Sequence, residues 1–232
     1  GSILAIAGIL VRIIGMLYRI PVVNIIGSEG NGIYGAAFNI YNIMLVLSSY
    51  GLPMAVSKLV SARFTKKRYK SAAKVLRCSL MVAVCTGGIA ALLVFFGASF
   101  IENVIYGGGL PGLAVPLRIL APTIFLVAIL GVIRGFFQGQ STMIPTAVSQ
   151  ILEQIVNAIV SIAAGYGMMK AFASLPDVAA YGAAGSTLGT AMGALTAVLF
   201  MGFLYAVYTP TFNRLKRKDR HTENQSTGQI CK

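Results

Sequence analysis

ILVRIIGMLYRIPVV, residues 9–23, is an apolar run that carries two arginines seven positions apart and lies inside a longer apolar stretch. Residues 8, 12, 15 and 19 follow one stripe of a helix, so Gly8, Arg12, Gly15 and Arg19 share a face with apolar side chains opposite. A cation in mid-membrane costs on the order of 3 kcal/mol on insertion scales and therefore faces a bundle interior or a wet cavity. Two on one stripe point to an anion site. The structural alternatives are that Arg12 pairs with an acid and that Arg19 snorkels to the outer interface.

The rest of the chain supplies the membrane setting. Of its 232 residues 56% are hydrophobic and 11% charged, whereas a soluble domain carries roughly a quarter charged residues. The sequence therefore predicts an all-α integral membrane bundle of about six transmembrane helices, since a crossing takes about 20 residues. The expected spans are residues 2–26, 33–60, 78–100, 115–137, 146–169 and 182–208. They are joined by turn-forming stretches such as GSEGNG, YGGGLPG and ASLPD. The chain divides into a transmembrane lobe, 1–210, and a basic polar tail, 211–232, expected to be disordered.

The net charge of +13 is not a nucleic-acid signature, because the cations cluster beside apolar runs. Arg63, Lys66, Lys67, Arg68, Lys70, Lys74 and Arg77 fill one loop, and Arg214, Lys216, Arg217, Lys218 and Arg220 open the tail. Glu29, Glu102 and Asp177 lie on the opposite side, so the positive-inside rule places both termini in the cytoplasm. The basic blocks also suit anionic membrane lipids.

The fifth span carries Gln150, Glu153, Gln154, Asn157 and Ser161 on one face. Glu153 is the one carboxylate expected within the membrane, and it reads either as a proton or sodium site or as the partner of Arg12 or Arg134. Asn39, Asn42, Ser48 and Ser49 add polarity to the second span, and Pro53 near its end suggests a bend. In the sixth span Gly185, Gly189 and Gly193 recur every fourth residue, the spacing of a close-packing helix face.

Catalysis has little support. The one histidine, His221, lies in the tail, and no metal-ligand spacing or nucleophile–base pattern occurs in the spans. Neither a cofactor motif nor an ATP-binding motif is present. A driving force must then come from the membrane potential, a monovalent cation or a downhill substrate gradient.

Two stretches carry a family resemblance. RIIGMLYRIPVVNIIGSEGNGIYGAAFNIYNIMLVLSSYGLPMAVSKLVS and RGFFQGQSTMIPTAVSQILEQIVN resemble the polysaccharide-transporter branch of the multidrug/oligosaccharidyl-lipid/polysaccharide exporter superfamily. That branch holds the stage V sporulation protein B-like proteins and the MurJ-type lipid II flippases of peptidoglycan biosynthesis. The resemblance implies a bacterial cytoplasmic-membrane flippase that moves an undecaprenyl-pyrophosphate-linked cell-wall precursor by alternating access between two lobes. Arginines in the first span of such proteins line a cationic cavity; Arg12 matches the first of them, and Arg19 sits one position from the second. Gln150, Glu153 and Gln154 belong to the family-like string, and with Asn157 they are expected to line the same cavity. The partners implied are a lipid-linked oligosaccharide and either a C-terminal lobe or a second copy, because family members have two MATE-like lobes and this sequence holds one. A truncated product is the expectation; a self-pairing half-transporter, an exporter of another lipid-linked polysaccharide unit and a non-transporting membrane scaffold are the alternatives.

Overall fold

The computed structural model describes residues 2–219, and every element among them is helical. Helix α1 covers Ser2–Ser48, α2 Leu52–Thr65, α3 Tyr69–Phe100, α4 Ala114–Gly139, α5 Ile144–Ala171 and α6 Val178–Lys218. Among the described residues five helical stretches are long and apolar enough to cross a membrane, the first running from Ser2 to Thr65. Large apolar side chains such as Ile9, Leu17, Leu92, Phe96, Leu199 and Phe203 point outward, as a multi-pass membrane protein requires.

Straight, the 47 residues of α1 would reach about 70 Å, more than twice the hydrocarbon thickness. The helix instead turns at Gly27, whose backbone stands at φ 72°, ψ −177°. That left-handed conformation suits glycine because it has no Cβ. The hydroxyls of Tyr18 and Tyr34, sixteen residues apart, consequently meet at 3.4 Å. The arms 2–26 and 28–48 fold back on one another, giving two passes. The six expected spans are therefore present as five apolar stretches, the first of them doubled. GSEGNG differs from the turn expected there: one glycine makes the corner, and residues 28–32 remain helical.

The second arm stops at Ser48, short of the expected 60. Pro53 sits in the first turn of α2, where its missing N–H costs no hydrogen bond, so it opens a helix and does not bend one. The basic loop is also shorter than its charge suggests. Helix α2 runs to Thr65 and α3 begins at Tyr69, leaving residues 66–68 as the turn, since lysine and arginine are good helix formers.

Helix α6 passes the expected boundary at 210 and continues to Lys218. Phe212, 1% exposed, stacks on Phe64 with ring centroids 6.1 Å apart and meets Phe136 edge-on at 5.4 Å. Burial of such a ring stabilises by about 2 kcal/mol, which holds the polar end of the helix in place. Asp219 then accepts a hydrogen bond from the Lys70 backbone N–H at 3.0 Å, capping α3. Residues 220–232 of the expected tail lie outside the described residues.

Two apolar clusters fill the bundle. One, near the Gly27 corner, gathers Val22, Ile26, Ile33, Leu117, Leu120 and Ile124; the other, near the basic turn, gathers Val56, Val60, Phe136, Met201 and Phe212. A π-helical turn, Ile101–Ile105, ends α3. It brings the Glu102 carboxylate onto the start of α4, where it accepts from Gly112 N at 3.0 Å and Ala114 N at 2.7 Å. Glu102 is thus an N-terminal cap.

Candidate functional site

Helix α5 organises the polar interior. Its contact with the first arm of α1 is fixed at two points. A Cβ built on Gly15 would stand 3.3 Å from Gln154 Nε2, and Asn157 Nδ2 donates to the Tyr18 hydroxyl at 3.3 Å. Both pairs are offset by 139 residues, so the arm and α5 run parallel. By that register Arg12 stands level with Ile151, beside Gln150, and Arg19 stands level with Ala158.

Both arginines are exposed. Arg19 lies within electrostatic reach of the Tyr34 hydroxyl. Among the described residues neither Arg12 nor Arg19 forms an ion pair with a carboxylate.

Glu153 is taken up elsewhere. Its Oε2 accepts from Arg134 Nη2 of α4 at 2.8 Å, with the two side chains 14% and 24% exposed. Arg134 Nε donates to Ser149 Oγ at 2.9 Å, and Ser149 in turn donates to the Thr146 carbonyl at 2.8 Å. Of the two partners left open for Glu153 by sequence, Arg134 is the one observed. Tyr41 of the second arm lies within electrostatic reach of the same carboxylate.

Asn157 is buried, and its groups are engaged within the bundle. Its Oδ1 accepts from Ser161 Oγ at 2.9 Å and from Thr190 Oγ1 at 3.4 Å. The Ser161 hydroxyl also lies 2.8 Å from the Ser186 carbonyl, and its single proton serves one acceptor at a time. Here α5 meets α6 almost backbone to backbone. A Cβ on Gly193 would stand 2.5 Å from the Glu153 carbonyl, one on Gly189 would collide with Ser161 Oγ, and one on Gly185 would collide with the Ala164 carbonyl. Only glycine permits this approach.

Gln150 faces a different space. With Leu45, Ser49, Tyr50, Pro53, Val127, Gly131, Arg134 and Gln138 it lines a cavity of about 250 Å³. A wider groove of about 610 Å³, lined by Ser57, Lys58, Ser61, Gln138, Ser141 and neighbours, adjoins it through Gln138. The expected residues are thus divided. Gln150, Glu153 and Gln154 share one stripe with the level of Arg12, while Asn157 belongs to the α5–α6 seam. Gln138 was not singled out from the sequence, although its place one turn after Arg134 in α4 was a readable signal. Among the described residues no cluster of three or more His, Cys, Asp or Glu is placed to hold a metal ion.

This combination, a folded-back first helix with unpaired arginines beside a polar fifth helix, runs through a stretch matched by one family model, "Polysaccharide biosynthesis protein", over residues 1–228. The chain belongs to that family. It is 35% identical to the lipid II flippase MurJ of Bacillus subtilis (strain 168) over 167 residues, which is 69% of this chain and 31% of the relative. Stage V sporulation protein B of the same organism is 32% identical over 86% of this chain and 37% of its own length. The uncharacterized membrane protein YabM is 30% identical over 97% of this chain and 40% of its own. The matches thus span between about a third and two fifths of these relatives. No solved structure matches the chain.

Proposed function

We propose that this chain forms one lobe of a flippase that carries an undecaprenyl-pyrophosphate-linked cell-wall precursor, lipid II or a close analogue, across the cytoplasmic membrane. The observation that supports the reading most is the division of charge along α5. Glu153 is paired with Arg134, so Arg12, level with it to within one turn, keeps an uncompensated positive charge on an arm whose other charged residue is Arg19. The Arg12 side chain is exposed, and an intramembrane cation of this kind faces a wet cavity or a bundle interior. An anionic head group entering the cleft would offset that charge, and a pyrophosphate supplies the anion. The names of the relatives support the same substrate class.

In this reading Arg12 takes the pyrophosphate, Arg19 guides it toward the Gly27 end, and Gln150 and Gln154 line the passage. The basic turn 66–68 and the end of α6 sit in the cytoplasm, the lipid tail remains in the bilayer, and a second lobe closes the cleft. Transport is driven by the membrane potential or a monovalent cation.

Arg12→Ala in the complete protein tests this. Lipid II reaching the outer leaflet, measured by its accessibility to an externally added enzyme, is expected to fall to background, with Arg12→Lys retaining part of it. Normal externalisation by Arg12→Ala would remove the assigned role.

A further inference from the structure

The 250 Å³ cavity between the end of the second α1 arm, the start of α2, α4 and α5 has a chemistry of its own. Ser49, Arg134, Gln138 and Gln150 bring polar side chains to it, the Ser49 hydroxyl being engaged with Ser48 at 2.9 Å. Arg134 spends its Nε and one Nη2 proton on Ser149 and Glu153, and three of its five N–H groups remain. Gln138 and Gln150 both line the cavity. Gln150 makes no side-chain hydrogen bond among the described residues. Neither does Gln138. Each amide therefore offers a donor and an acceptor. Tyr50, Pro53, Leu45 and Val127 supply apolar walls, and the volume corresponds to roughly eight waters, the scale of a single sugar ring.

The charge decides the class of ligand. Because Glu153 neutralises Arg134 at 2.8 Å, the pocket presents neutral amides and spare N–H donors beside a closed ion pair. A phosphate there would face no net positive charge and would have to compete with Glu153 for Arg134. Neutral hydroxyl and acetamido groups suit such a lining, since mixed donors and acceptors on an apolar floor orient a polar, uncharged ring. We infer that the Arg134–Gln138–Gln150 cavity is a saccharide subsite, separate from the arginines of the first arm, that holds the sugar proximal to the pyrophosphate. Gln150 stands beside the level of Arg12 on α5, so one lipid-linked head group spans both places. The adjoining groove past Gln138 leads to the α4–α5 turn and gives the remaining sugars room.

The inference rests on the proposed flippase reading and is tested so that the two fail separately. Two probes are compared on the protein purified from membranes in its natural assembly: lipid II, and bare undecaprenyl pyrophosphate without sugar. Gln138→Leu and Gln150→Leu are each expected to weaken lipid II binding about tenfold while changing affinity for the bare pyrophosphate less than twofold; Arg12→Ala weakens both. Gln150→Asn keeps the amide but shortens its reach, and is expected to give an intermediate loss on lipid II alone, a readout that general unfolding would not produce. Equal loss for the two lipids, or no loss for either, would overturn the saccharide subsite and leave the flippase reading standing. Failure of the unaltered protein to bind either lipid would overturn both.

Discussion

The two sides of α5 are built on opposite terms. Toward α6 the glycines at 185, 189 and 193 let the backbones close on each other, and Asn157, Ser161, Ser186 and Thr190 consume their own polar groups. Toward the first arm and α4, the same helix leaves Gln150 unengaged, closes the Glu153–Arg134 ion pair, and meets α1 through a glycine and a tyrosine on the arm that carries the unpaired Arg12 and Arg19. The contrast separates a seam that fixes the lobe from a cleft that keeps binding capacity unspent. Polarity within a membrane helix therefore does not identify a binding face by itself; polarity left unsatisfied does.

The contrast can be broken most severely at the seam. Gly189→Leu forces a side chain against Ser161 Oγ and the Asn157 carbonyl and is expected to destabilise the lobe by about 3 kcal/mol or more, read as a lower midpoint of thermal unfolding in detergent. Gly8→Leu, with nothing within 4 Å of the new Cβ, is expected to change it by under about 0.5 kcal/mol. If the two behaved alike, the distinction between seam and cleft would disappear.

Glu153→Gln stands between these extremes. It removes the counter-charge of a partly buried arginine and is expected to cost about 2 kcal/mol, less than for a fully enclosed pair. Adding Arg134→Gln should recover part of the loss, with a coupling of about 1 kcal/mol in a double-mutant cycle. Glu102→Ala, which strips two hydrogen bonds from the start of α4, is expected to cost about 1 kcal/mol and to leave lipid binding unchanged. The smallest effect on stability belongs to Arg12→Ala, under about 0.5 kcal/mol because no ion pair is lost, and the same denaturation series measures it.

Much of this division was legible in the sequence. The 3.6-residue period places Gln150, Glu153, Gln154 and Asn157 on one stripe, and the four-residue recurrence of glycine marks the α6 side of the seam. Periodicity gives a residue's face but not its neighbour, so it could not tell that Asn157 turns into the seam while Gln150 turns toward the cavity. The choice of Arg134 over Arg12 as the partner of Glu153 depended on which helix packs beside α5 at that level. Local signals misled where tertiary packing overrode them. GSEGNG reads as a turn although one positive-φ glycine is sufficient, and RLKRK reads as a tail although Phe212 anchors the helix that carries it.

The hydrogen bond from Lys70 to Asp219 joins residues 149 positions apart. At synthesis rates of 5–20 residues per second, roughly 7 to 30 s separate the emergence of the two groups. Through that interval the first turn of α3 must satisfy its N–H with water, and α3 acquires its cap only when α6 has been made. The end of the lobe that carries the basic turn is therefore the last part to mature, and the chain reports completion of its sixth helix through the start of its third.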